Sequence, residues 1–464
     1  MIRRFCGALL AGALLCGQAA AQPSEAERQQ ARAIYEHVIA MDTSVEGHQV
    51  PQMAAYLAGL FRDAGFPAAD IHVVPHGQTA ALVVRYRGDG SGGRPLLFIA
   101  HMDVVPAHRS EWERDPYRLI EENGYFYGRG TADDKGGVTL LTATFLQLKR
   151  EGFRPTRDII LAFSGDEETS GETTRMLIAE HRDLIDVEFA INADAGQGAL
   201  DETTGQPTFY ALQTSEKTFA SFTLTAHNPG GHSSQPRADN AIYDLTDALT
   251  RVRGYQFPVM WNDTTIASMR ALGPRAGGPL GAAMTRFAEN PRDRRAIATL
   301  SASPFSVGQI RTTCIPTLLQ AGHADNALPQ TAVATVNCRI FPGVTIADVQ
   351  AQLQRLAGDK VQVAPLDEYY SSEASPLRED VLAAATQAVH ASYPGVPIAP
   401  AMSAGATDGV FYRAAGIPTY GVSDIFMKDS DDFSHGLNER VPVASFYNGL
   451  THYRVLMTAL AGPR

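Results

Sequence analysis

The sequence predicts an α/β protein whose mostly parallel sheet is interrupted by an inserted α+β segment. Two observations lead there. Over the first half of the chain, short apolar runs (AALVVRY, LLFIA, DIILAF, FAINA) alternate with helical stretches. That is the texture of strands buried on both faces and joined by crossover helices. From about Lys217 to Leu366 the runs become Thr- and Val-rich and alternate (TFASFTLTA, RTTCIPTLL, TAVATVNCRIF), as half-exposed antiparallel strands do. The first texture then returns, so the middle segment reads as an insertion.

Taken in order, the chain opens with MIRRFCGALLAGALLCGQAAAQ. Arg3 and Arg4 precede an apolar stretch and the small residues Ala19-Ala20-Ala21, the pattern of a cleaved leader, residues 1–21, cut after Ala21. The expectation is export, to a periplasm or the outside. Leu15 is bulky where a lipoprotein site at Cys16 would want a small residue, and no apolar run is long enough to span a membrane. Helices are expected at Glu25 to Ile39 and Pro51 to Ala64, with Pro51 suiting a first turn and Gly65 a stop. Further helices are expected at Gly136 to Arg150 and Gly171 to Glu180. The expected domains are residues 22–216 and 367–464 for the interrupted α/β unit and 217–366 for the insertion. Inside the insertion, helices are expected at Ala241 to Val252 and Ile346 to Leu356. The Gly-, Pro- and Ala-rich stretch 271–296 reads as a loop with a short helix. A helix at Glu379 to Ser392, a strand at GIPTYGV and a closing helix at Ala444 to Ala459 complete the chain.

The 464 residues are 44% hydrophobic, enough for a sizeable core, and carry a formal net charge of −11. The leader holds two basic residues and no acid, so its removal leaves the chain more acidic still. This balance argues against nucleic acid and against an anionic membrane surface as partners. Outside the leader only Cys314 and Cys338 remain. They flank a possible hairpin, where they are either a disulfide or two buried thiols.

The polar residues fall at telling places. LLFIA runs into His101-Met102-Asp103, DIILAF into Asp166-Glu167-Glu168, and FAINA into Asp194. In open α/β sheets ligands bind beyond the carboxyl ends of strands. YGRGTADDKGG adds Asp133 at a Gly-rich turn, and FSHGLNERV adds His435 before the last helix. Imidazoles and carboxylates converging on one rim point to divalent metal, zinc first, with Mn²⁺ or Co²⁺ also accommodated by carboxylates. Two His and three carboxylates suffice for two metals with one carboxylate shared. Neighbouring residues face different ways, so one glutamate of the Glu167-Glu168 pair can be a ligand while the other serves as general base.

In this order, HMDVVP, GRGTADDKGG, SGDEETSG, GGHSSQP, NALPQTAVATVNCRIFPG and HGLNERV resemble the M20 family of co-catalytic zinc metallopeptidases, over about Tyr35 to Ala459. The last two are most similar to its carboxypeptidase S-like branch, which includes N-acyl-amino-acid hydrolases. The resemblance implies a zinc-peptidase catalytic domain carrying an inserted lid domain of the kind that pairs in dimers, so that the chain is a monomer or a homodimer through the lid. It implies His101 and Asp194 on one zinc, Glu168 and His435 on the other, and Asp133 between them. Asp103 would orient His101, and Glu167 would be the base. His232 would stabilise the oxyanion, from its own or a partner chain. Asn326 and Arg339 would hold the substrate's carboxylate. Two departures stand out: Ala195 follows Asp194 where many relatives carry Glu, and Asp134 is not expected to be a ligand.

The implied activity is hydrolysis of an amide bond beside a free carboxylate, in small peptides or N-acyl-amino acids, with an aminoacylase- or deacetylase-type amidohydrolase as the alternative. Each residue also has an ordinary reading: a helix-dipole pair for Glu167 and Glu168, an N-cap for Asp133, a surface strand position for Arg339. Paired carboxylates also serve glycosidases, but those need their acid and base facing each other across a sugar bond, not adjacent in sequence. A peptide-binding homologue without catalysis would be expected to lack Glu167, which is present.

Overall fold

The computed structural model describes residues 22–463, so the expected leader lies outside the described residues. Helices Glu25–Ile39 and Val50–Asp63 open the fold. Ser24 caps the first through a reciprocal box with Glu27, which satisfies orphan N–H groups of its first turn. Gly65, at φ +80°, ends the second.

The centre of the large sheet is parallel. Strand Leu96–His101 lies between Ile159–Ser164 and Phe189–Asn192, and Thr419–Gly421 continues in parallel beside the last. Strand Ile398–Ser403 runs parallel to Pro207–Glu216. Thr79–Tyr86 runs antiparallel to Ile159–Ser164 and, on its other side, forms a hairpin with Ile71–His76 across the tight turn at Gly77. Successive side chains of the central strands feed opposite faces. Leu96, Phe98, Leu161 and Phe163 pack beneath the helices on one side. Leu97, Ile99, Ile160 and Ala162 pack against Met176, Leu177 and Tyr412 on the other. Both faces are covered, which explains the continuous apolar runs.

A second sheet of four antiparallel strands follows, in the order Thr313–Ala321, Thr331–Ile340, Thr218–His227, Val361–Pro365. It has its own core, where Phe222, Leu224, Ala334 and Val336 meet Leu245 and Leu353 of helices Ala241–Gly254 and Ile346–Ala357. Cys314 and Cys338 are directly opposite in register and joined as a disulfide.

The stretch 271–296 departs from expectation. It belongs to helices Asp263–Ala276, Gly278–Glu289 and Arg294–Ala302, which bury Met269, Phe287 and Leu300 together. Gly277, at φ +60°, only breaks the chain between two of these helices. A Cβ on Gly281 would lie 2.4 Å from the Gly273 carbonyl oxygen, so the small residues let two helices approach closely. Among the described residues, no helix is long and apolar enough to cross a membrane.

Candidate active site

The parallel strands end on one rim. His101 is the last residue of its strand, Asp194 lies two residues beyond Asn192, and Glu167 and Glu168 lie on the turn after Ser164. Asp133 sits just before helix Lys135–Arg150, and its peptide bond to Asp134 is cis. His435 takes φ +62° in the loop before the last helix, a conformation uncommon outside glycine and often found at functional positions.

These residues form two groups that share Asp133. His101 Nε2 is 2.9 Å from Asp133 Oδ1 and 3.8 Å from Asp194 Oδ1. His435 Nε2 is 3.1 Å from Asp133 Oδ2 and 2.9 Å from Glu168 Oε2. The donor atoms of each group lie within 4.8 Å of one another. Glu168 Oε1 is buried and has no hydrogen-bond donor among the described residues.

The charges show what the site needs. Burial pushes the His101 imidazole down, but the surrounding carboxylates of Asp103, Asp133 and Asp194 outweigh it and hold the group well above its ordinary range. Hydrogen bonds to Asp133 and Glu168 push His435 up to about 10. Burial pushes Asp194 up to about 7 and Glu167 well above the usual carboxylate range. Asp133 is held low; the two imidazoles overcome its burial. The carboxylates thus draw positive charge onto both histidines. Divalent cations would supply that charge and give the orphaned Glu168 oxygen a partner, so the donor set of two imidazoles and three carboxylates fits a pair of such ions.

Buried carboxylates hold the frame. Asp103 Oδ1 and Oδ2 accept the backbone N–H groups of Glu167 and Glu168, at 3.1 and 2.9 Å. His101 Nδ1 is 3.0 Å from the Asp103 carbonyl oxygen and 3.5 Å from its carboxylate. The Asp103 main chain thus orients the imidazole, and its side chain orients the two glutamates. Asp166 accepts the N–H groups of Glu172 and Thr173 at 2.7 and 3.0 Å, closing the turn into helix Glu172–Glu180. Asp134 is buried and accepts the His101 N–H at 3.3 Å; it belongs to neither group of possible ligands.

Sequence reasoning passed over Glu439. Its fully buried carboxylate accepts the N–H groups of Gly130, Ala132 and Asp133 at 3.0, 2.8 and 3.1 Å, and pairs with Arg129 at 2.7 Å. It therefore fixes the loop that presents Asp133. Its place four residues after His435 in HGLNERV was the available signal.

The residues expected to hold substrate are not gathered with these. His232 and Asn326 are exposed on a small ribbon, Gly231–His232 against Ala327–Leu328. His232 Nδ1 accepts the Ser234 N–H at 3.2 Å, which leaves the ring proton on Nε2. The Asn326 carbonyl accepts the Ser233 N–H at 3.0 Å. Arg339 lies nearer: it donates to the Ala404 carbonyl at 2.8 Å and stacks over Phe219. Ala404 belongs to the loop following strand Ile398–Ser403, which walls a cavity of about 420 Å³ open to Asp133, Glu167, Glu168, Asp194 and His435.

A model of peptidase family M20/M25/M40 matches residues 97–459. The chain is 32% identical, over 75% of its length and 69% of the relative's, to the N-fatty-acyl-amino acid synthase/hydrolase PM20D1 of Xenopus tropicalis. It is 26% identical to mouse (Mus musculus) aminoacylase-1, over 86% of this chain and 88% of that one. Among solved structures, the M20 family metallo-carboxypeptidase Sso-CP2 of Sulfolobus solfataricus has the same fold. Its TM-score is 0.70 at 17% identity, covering 93% of this chain and 99% of that one.

Proposed function

Because this chain belongs to peptidase family M20/M25/M40 and is a hydrolase acting on C–N bonds, we propose that it cleaves the amide bond beside a free carboxylate in small peptides or N-acyl-amino acids. The observation that carries this reading is the split of Asp133, whose two oxygens face two separate imidazole–carboxylate groups. In this reading His101 and Asp194 would hold one divalent ion and Glu168 and His435 the other, with Asp133 available to both. Zinc suits the mixed nitrogen and oxygen donors, and Mn²⁺ or Co²⁺ could replace it. When bound, the ions supply Lewis acidity to the substrate carbonyl and to the attacking water.

The protein does the rest. Glu167 takes the proton of the attacking water and returns it to the leaving amine. Burial raises its pKa, which suits a group that must keep a proton between two steps. Asp103 sets the direction of that carboxylate through the Glu167 N–H. His232 offers its Nε2 proton to the oxyanion once the second sheet closes on the substrate, or from a second copy of the chain. A second copy has a place to pair, because the edge strand Thr313–Ala321 leaves Ile315, Leu318 and Leu319 exposed. Asn326 and Arg339 hold the substrate's carboxylate, for which a guanidinium fork is suited. The leader-like residues 1–21 and the Cys314–Cys338 disulfide support export to an oxidising compartment such as a periplasm.

The test is Glu167→Gln, assayed by amine release from N-acyl-amino acids, dipeptides and their C-terminal amides. The variant should fold and keep its metal while losing roughly 10²–10⁴ in kcat. Wild-type turnover in that variant would remove Glu167 from the role of base.

A further inference from the structure

One wall of the cavity has no role in the chemistry above. The chain leaves Asp194 through Gly196, at φ +77°, and enters strand Gln197–Leu200. Main-chain bonds fix this stretch: Ser423 donates its N–H to the Ala195 carbonyl at 3.0 Å, and Gly198 donates to the Ile425 carbonyl at 2.8 Å. Side chains alternate along a strand. A Cβ on Gly198 would lie 2.1 Å from the ring of Phe426, which is buried, so that face of the strand meets the core. Gln197 stands on the other face. Its register partner is Ala211, cross-strand partners share a face, and both residues line the cavity. Gln197 is exposed, and among the described residues its amide has no hydrogen-bond partner.

The charges that line the cavity are few. Its carboxylates are Asp133, Glu167, Glu168 and Asp194, and its imidazole is His435. The proposed reading of the site, on which this inference rests, gives all five to the metals and the base. Among the described residues no Lys or Arg lines the cavity. A free carboxylate entering it would find no cationic side chain to pair with. A free ammonium would find no carboxylate outside the metal and base set. Either would lose its water without a partner that offsets the loss. An uncharged acyl group has no such cost. The cavity therefore suits the acyl end of the substrate, and suits it uncharged.

We infer that Gln197 is a specificity-determining residue that reads the charge of the acyl group: its neutral amide makes the cavity select uncharged acyl groups over those that carry an α-ammonium. An N-acyl-amino acid is then a better substrate than the dipeptide of the same shape. The choice follows the sign of the charge on this wall. A carboxylate at position 197 would attract the ammonium, and a second ammonium would repel it.

The test uses the metal-loaded protein with N-propanoyl-leucine and glycyl-leucine, which differ only in CH₃ against NH₃⁺ and release the same leucine. The wild type should favour N-propanoyl-leucine by about tenfold or more in kcat/KM at about pH 7. Gln197→Glu should shift that ratio toward glycyl-leucine by about tenfold, and Gln197→Lys should shift it the other way. At about pH 9.5, where the amine of glycyl-leucine is neutral, the shift caused by Gln197→Glu should shrink to within about twofold. A wild-type ratio near one, or in favour of glycyl-leucine, overturns the inference, whether or not the variants fold. So do variants that leave the ratio unchanged, and so does a shift that persists at the higher pH. Turnover of both substrates at equal rates overturns this inference alone. Turnover of neither, nor of any other N-acyl-amino acid or dipeptide, overturns the reading of the site with it.

Discussion

Asp103 Oδ2 accepts the backbone N–H of Glu168 at 2.9 Å, tying the ends of two parallel strands together at the rim where the site is built. The same carboxylate accepts the N–H of Glu167 at 3.1 Å. One side chain thus sets the direction of both glutamates, and its own main chain sets the imidazole of His101.

Asp103→Asn should therefore weaken metal retention and turnover together, although Asp103 belongs to neither group of possible metal ligands. The amide keeps one good acceptor for two N–H groups, and its NH₂ opposes the other. Losses of roughly 10–100-fold are expected. Competition with a metal-binding dye and kcat on the same preparation would check this; unchanged values in both would show that the backbone alone holds the turn.

Arg339 donates to the Ala404 carbonyl at the mouth of the cavity, and among the described residues its other donors have no hydrogen-bond partner. Arg339→Ala should raise KM for substrates with a free carboxylate more than for their amides, with kcat less affected. Steady-state kinetics on matched acid and amide pairs decides the matter. An equal effect on both would remove Arg339 from carboxylate recognition.

The Cys314–Cys338 bridge joins an edge strand to its neighbour across 24 residues of sequence. Replacing both with Ala should destabilise the second sheet by about 3 kcal/mol, from the loop-closure entropy returned to the unfolded chain. Urea unfolding of the oxidised wild type and the double variant, with the midpoint as readout, would measure it.

Much of the site is legible in the sequence because strand ends are. An apolar run that stops at His101, Asp194 or the Glu167-Glu168 pair announces a polar residue at a sheet rim, and motif order joins them. Glu439 is not legible in that way. It acts on backbone N–H groups about three hundred residues earlier in the chain. The stretch 271–296 misleads because glycine and alanine serve both loops and close helix contacts; only the Gly273–Gly281 approach distinguishes them. The ribbon carrying His232 and Asn326 is exposed, and a sequence does not state how far a second sheet stands from the first.

The most direct test of the account is metal content by mass spectrometry on purified, metal-reconstituted protein, with amine release from N-acyl-amino acids measured before and after chelation. The account predicts about two divalent ions per chain, with turnover lost to chelator and restored by zinc. Protein that retains no metal after reconstitution, or turnover indifferent to the chelator, would contradict it.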